Sequence, residues 1–237
     1  MKNNRIILKL SGEILQGNEP FGISDKIVTK VATEIIKVHN SDCEIGIVIG
    51  AGNFFRGAAE AAKHMNRVNA DDIGMLGTVQ NSIALSDKFA QLGADFEIFT
   101  SKNIAAIGKV FNHIEAKKAL TEKKIVIFAG GTGNPFFTTD TTAVLRALEV
   151  DADLILKGTK VDGVYDKDPV KETEAKLFKQ ISYRKYMELD LEVMDMTAIS
   201  LAKKNQIPIK VFNITDTENI TKAVTDSDFG STIYRNN

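Results

Sequence analysis

Three short stretches combine glycine, hydroxyl and charged residues at spacings suited to holding phosphate. The first is LKLSGE at 8–13, with Lys9 inside an apolar run and Ser11 and Gly12 at its end. Glycine lets backbone N–H groups approach an anion, and lysine supplies a point charge. The structural alternative is a surface lysine laid along apolar neighbours. The second is VIGAGNFFRG at 48–57, where Gly50, Gly52 and Gly57 flank Asn53 and Arg56. A dinucleotide fingerprint needs glycine where this chain has Phe55, and an acidic residue about 20 positions further on. Both are missing, so a phosphate-cradling turn with Arg56 as anion clamp is the better reading. The third is GGTGNPFFTTDT at 130–141. Gly130, Gly131 and Gly133 permit a tight turn with exposed N–H groups, and Thr132, Thr138, Thr139, Thr141 and Thr142 add donors. Asp140 is placed to cap a helix. Phe136 and Phe137 are expected to pack the loop down rather than stack on a base. No Walker A sequence occurs, so any phosphoryl transfer is not of the P-loop kind.

The elements that must position these residues are short. The apolar runs RIILKL (5–10), EIGIVI (44–49), DFEIFT (95–100), KIVIFA (124–129), DLILK (153–157) and IKVFN (209–213) read as strands covered on both faces. Helical patterns lie between them. Ser24 can cap a helix carrying Ile27, Val31, Ile35 and Val38. A long helix is expected from about Ala70 to Leu92, with Ile73, Leu76, Val79, Ile83 and Leu85 as its apolar stripe. TTAVLRALEV, TAISLAKK and NITKAVT follow the same period. Alternating strands and helices imply an α/β three-layer sandwich with a mostly parallel central sheet. Asp162-Gly163 is a hairpin signal, and the charged stretch after Pro169 reads as a solvated loop.

The 237 residues are 43% hydrophobic and carry 30 basic and 31 acidic side chains. That balance gives no basic excess for nucleic acid, so an anion site must be built locally. The one cysteine, Cys43, reads as a buried spacer and leaves no disulfide framework. No apolar run is long enough for a membrane span, and the expected compartment is the cytoplasm.

In this order, the three stretches resemble the amino-acid-kinase fold family, and most closely its bacterial branch that phosphorylates UMP. KLSGE (9–13), PFGIS (20–24), VIGAGNFFRG (48–57), MNRVNADDIGML (65–76), GTGNPFFTTDT (131–141), LKGTKVDGVYDKDP (156–169) and VMDMTA (193–198) carry the resemblance over nearly the whole chain. It implies one domain over 1–237, with an acceptor-binding part at about 1–150 and an ATP-binding part at about 151–237. Lys9, Leu10, Ser11, Gly12, Gly52 and Arg56 would face the ATP phosphates, and Thr159, Tyr165 and Asp168 the adenosine. Asp71 would hold the UMP ribose. Ala51 and Thr132, Gly133, Asn134, Pro135, Phe136, Phe137, Thr138 and Thr139 would hold the rest of UMP. Lys9, Lys157 and Arg56 would neutralise the migrating group, with Asp140 orienting the lysines.

Mg²⁺ would come with ATP; Asp195 either stands near it or caps the following helix. The family pattern has glycine where this chain has Ala51, which must then use a conformation alanine accepts. The resemblance also implies a homohexamer inhibited by UTP, with the long helix as a dimer contact. Three rivals remain: a kinase of a small carboxylate, a nucleotide-binding sensor without turnover, and, last, a dehydrogenase.

Overall fold

The structure, a computed structural model, describes residues 5–55 and 64–234. The six apolar runs become the strands β1 (Arg5–Leu10), β2 (Glu44–Ile49), β3 (Phe96–Thr100), β5 (Ile125–Ala129), β6 (Leu154–Thr159) and β10 (Ile209–Asn213). Three short strands were not foreseen: β4 (Lys109–Val110), β9 (Gln180–Ser182) and β11 (Ser231–Tyr234). Together they form a nine-stranded sheet in the order β4-β3-β5-β2-β1-β6-β10-β11-β9. Every pairing is parallel except β10 with β11.

Successive strand residues point to opposite faces, and both faces are apolar. Ile6, Leu8, Leu10, Ile45, Ile47 and Ile49 pack on one side. There they meet α2 (Asp25–Asn40), α3 (Arg67–Gln91), α8 (Asn219–Thr225) and the short α1 (Glu13–Gln16). Ile7, Val48, Val126, Phe128, Ile155 and Ile209 pack on the other. That side is covered by α4 (His113–Thr121), α5 (Thr139–Glu149), α6 (Tyr183–Glu188) and α7 (Met196–Asn205). Cys43 is buried in the first of these cores, as its spacer role requires.

Three local expectations need correction. Ile73, Leu76 and Ile83 are exposed. Val79 and Leu85 of the expected stripe do lie in the core, with Phe89, but beside them the inward face of α3 carries small and polar side chains such as Gly77, Thr78, Asn81 and Ser82, where loop backbone docks on it. Asp162-Gly163 makes no hairpin with the strand before it. The following residues Val164–Tyr165 (β7) pair antiparallel with Leu177–Phe178 (β8). The reason is an anchor: Val164 N–H donates to Ser231 Oγ at 2.8 Å, and a Cβ on Gly163 would lie 2.1 Å from that oxygen. Ser24 does occupy the N-cap of α2, but its hydroxyl makes no capping bond.

β2 contains a glycine at the centre of the sheet. A Cβ at Gly46 would meet Ile7 Cδ1 at 2.5 Å and Phe128 Cε2 at 2.8 Å. Those two side chains fill the space the glycine leaves. Gly46→Ala should therefore destabilise the fold by about 1–3 kcal/mol through overpacking, measured as a lower urea midpoint with an unchanged m-value.

Candidate active site

Parallel pairing of β1 with β6 sets Lys9 directly opposite Lys157. Both lysines are buried, at 8% and 7% exposure. Two ammonium groups side by side repel, and burial penalises each. Asp140 at the start of α5 answers this: its Oδ1 lies 2.6 Å from Lys9 Nζ, and its Oδ2 takes Lys157 Nζ. One carboxylate thus serves two lysines from different strands. Burial and the Lys9 charge pull the Lys157 ammonium down to about 8, against the opposing pull of Asp140. Burial works against the Asp140 charge too, but the two lysines outweigh it and hold this carboxyl below its usual range.

Asp140 is therefore not the cap of α5. Thr138 is the cap, its Oγ1 accepting from the N–H groups of Asp140 and Thr141 at 3.0 and 3.2 Å. With the cap supplied two residues earlier, the Asp140 side chain is free to turn inward.

The first two glycine turns lie against each other. Gly50 N–H donates to Leu10 O at 2.9 Å, and a Cβ on Gly12 would fall 2.4 Å from Gly50 O. Leu10 offers this turn only its backbone, since its side chain is wholly in the core. Ala51 has no left-handed φ, and neither do Gly50 and Gly52. The turn needs its glycines for close approach, not for handedness, so alanine at 51 carries no conformational penalty. Asn53 and Asn81 of α3 pair through their side-chain amides at 2.8 Å, and Asn81 Nδ2 also donates to Gly50 O at 2.7 Å. Arg56 and Gly57 lie outside the described residues.

The third loop does use left-handed backbone, at Gly130, Gly131, Gly133 and Phe136. Its N–H groups are fixed from α3. Gly130 donates to Thr78 Oγ1 at 2.8 Å and Phe136 to Asp71 Oδ2 at 2.7 Å. Asp71 also accepts from Arg67 Nε at 2.9 Å. Thr132 Oγ1 receives Asn134 N–H at 3.1 Å, so Thr132, Gly133 and Asn134 form a closed local turn before Pro135. Phe136 and Phe137 do not pack the loop down: they are 64% and 51% exposed. Hydrogen bonds hold the backbone instead, leaving both rings on the surface. Thr139 Oγ1 reaches Gly50, where a Cβ would lie 3.5 Å from it, so all three glycine stretches converge.

Asp195 joins this loop to the opposite wall. It caps α7 by accepting from Ala198 N–H at 2.9 Å, and it accepts from Thr138 Oγ1 at 2.6 Å and Thr141 Oγ1 at 3.2 Å. The preceding residue, Met194, is clamped by Tyr186: the tyrosine hydroxyl accepts from Met194 N–H at 2.8 Å and donates to its carbonyl at 3.1 Å. Neither Asn81 nor Tyr186 was marked by the sequence, since each looks like an ordinary polar or aromatic position of an amphipathic helix.

Beside the lysine pair opens a cavity of about 580 Å³ lined by Lys9, Ser11, Lys157 and Thr159. Glu13 and Lys160 bridge it with an ion pair of 2.5 Å between the turns after β1 and β6. An adjoining cavity of about 430 Å³ is lined by Tyr165 and Asp168 and shares Glu192 and Val193 with the first. The Val170 N–H lowers the Asp168 carboxyl below its usual range. Cationic floor, flanking turns and paired cavities together suit a bound polyphosphate with a planar group at its far end.

The profile of the Amino acid kinase family matches residues 4–213. A uridylate kinase of Haemophilus influenzae is 45% identical over 229 residues, covering 97% of each chain. Among solved structures, a UMP kinase from Bacillus anthracis superposes with a TM-score of 0.95 at 32% identity, covering 100% of this chain and 98% of that one. A UMP kinase from Ureaplasma parvum gives 0.91 at 31% identity, with 99% and 100% covered.

The lysine pair has a measurable signature. The folded Lys157 value near 8 lies below its unfolded value of 10.5. Between the two the unfolded chain binds more protons, so this group's contribution to stability rises with pH over that window. Asp140→Asn removes the shared counter-charge. It should lower stability at pH 7 by about 3–5 kcal/mol, with partial recovery as the pH rises toward 8, because without Asp140 the Lys157 ammonium gives up its proton below the wild-type value. Urea unfolding across pH 6–10 checks both; a pH-independent difference between wild type and variant would contradict this account.

Proposed function

This chain belongs to the amino acid kinase family, and on that premise we propose that it transfers the γ-phosphoryl group of ATP to UMP, giving ADP and UDP. One observation carries the reading. The two lysines, joined by Asp140, stand where the cavity of the β1 and β6 turns meets the threonine-rich loop at 130–141. A phosphoryl group passing between two anions needs cations at that junction.

In this reading a UMP phosphate oxygen bonds to the γ-phosphorus as its bond to the β–γ bridging oxygen breaks, and ADP leaves. The acceptor phosphate is already ionised, so no general base is needed. Lys9 and Lys157 neutralise the equatorial oxygens, Asp140 keeps both ammonium groups aimed, and Arg56 assists from outside the described residues. Ser11, Gly12 and Gly52 face the ATP phosphates; Thr159, Tyr165 and Asp168 hold the adenosine. The acceptor lies along the backbone of Ala51, Asp71 and the loop Thr132–Thr139. The donor side thus draws mainly on 151–237 and the acceptor side on 1–150.

Among the described residues no three His, Cys, Asp or Glu side chains gather as a metal cage. Asp140 is committed to two lysines, and Asp195 to two hydroxyls and an N–H. This donor set fits Mg²⁺ carried on the ATP phosphates, where it would offset their charge. The reading also implies a cytoplasmic setting, inhibition by UTP and assembly into a homohexamer. The exposed Val68, Ile73, Leu76 and Ile83 of α3 support a contact with a second copy, and light scattering measures the mass.

With MgATP and a panel of nucleoside monophosphates, ADP release should depend on UMP. Turnover of CMP, acetylglutamate or carbamate without UMP would refute the assignment. Lys9→Ala should lower kcat by about 10²–10³-fold in a folded protein, the loss typical of a transition-state charge donor; near-normal turnover would remove Lys9 from this role.

A further inference from the structure

Gly77 stands in the middle of the 25-residue helix α3, where glycine is the least favourable residue short of proline. Its φ is not left-handed, so the helix does not need its conformational freedom. Space explains it instead. A Cβ built on Gly77 would lie 2.8 Å from the Ala51 Cβ, well inside the roughly 3.5 Å at which unbonded carbons rest. Helix and turn share room for one methyl group, and the turn carries it.

Behind the turn lie the other two loops and α1. A Cβ built on Gly50 would lie 3.3 Å from Gly12 N and 3.5 Å from Thr139 Oγ1, and one on Gly52 2.9 Å from Glu13 Cγ. One helical turn along the same face of α3, Asn81 holds Gly50 O and Asn53. A methyl added at 77 would therefore drive the turn toward the other two loops, into the gap where the phosphates meet.

We propose that Gly77 is a positioning residue for phosphoryl transfer: its missing side chain seats Ala51, and this matched pair sets the distance between the phosphate turn and α3. The proposal rests on the UMP reading, which wild-type kinetics test separately. Gly77→Ala should lower kcat/KM for UMP by about tenfold or more, the scale of a small misplacement at a reacting centre. Ala51→Gly combined with Gly77→Ala moves the methyl from turn to helix, and should return kcat/KM to within about threefold of wild type.

A purely structural role would lower Tm in Gly77→Ala and leave kcat and KM unchanged; that result overturns the proposal, as does a double variant no better than the single. If Gly77→Ala does not fold, the double variant decides: folded and active supports the pairing, unfolded or inactive refutes it. If wild-type protein leaves UMP untouched, amide hydrogen exchange over Gly50–Phe54 replaces the kinetics. Faster exchange in Gly77→Ala, reversed in the double variant, supports the seat; unchanged exchange in Gly77→Ala overturns it.

Discussion

Two ammonium groups cannot be buried on neighbouring strands without a counter-charge between them. The register that puts Lys9 opposite Lys157 creates that problem, and Asp140 resolves it from a helix on a third segment of chain. Much else follows. The N-terminus of α5 must reach the strand ends, so the loop before it is drawn across the site. The helix cap must come from Thr138, because Asp140 is occupied. Asp195 must in turn hold Thr138 and Thr141, and Tyr186 holds the residue before Asp195. The charge cluster is thus built from β1, α5 and β6, with α6 and α7 behind it.

Glycine loops that approach an anion closely have few side chains with which to anchor themselves. Here α3 supplies the anchor for two of them. Asp71 and Thr78 fix the backbone of the third loop, while Asn81 fixes the second. A single helix therefore sets the spacing between the second and third glycine turns. The same demand explains why the stretch of its inward face under the loops is small and polar while several of its large apolar side chains look outward.

The fold was legible because its strands are buried on both faces and read as unbroken apolar runs. The short strands β4, β9 and β11 were not, being two to four residues long and marked by no such run. The resemblance already implied Lys9, Lys157 and an Asp140 that orients both, but not the register that sets Lys9 directly opposite Lys157, a pairing 148 residues apart in sequence. Asp140 looked like a cap because any aspartate at a helix start does; only the geometry shows Thr138 doing that work. Phe136 and Phe137 were misjudged for a related reason, since nothing local reveals that hydrogen bonds to Asp71 and Thr78 already fix the loop.

The strand order has a consequence for how the molecule is made. β1 pairs with β2 on one side and β6 on the other, so β1 keeps an open edge until Leu154–Thr159 has been synthesised. The β2, β3 and β5 pairings can all close before then. Long-range parallel pairing of this kind is slow to form, and an unpaired apolar edge is exposed to association while it waits. The nascent chain thus completes the β2-β5-β3 part of its sheet early, and the lysine pair comes together only when the central gap in the sheet is filled.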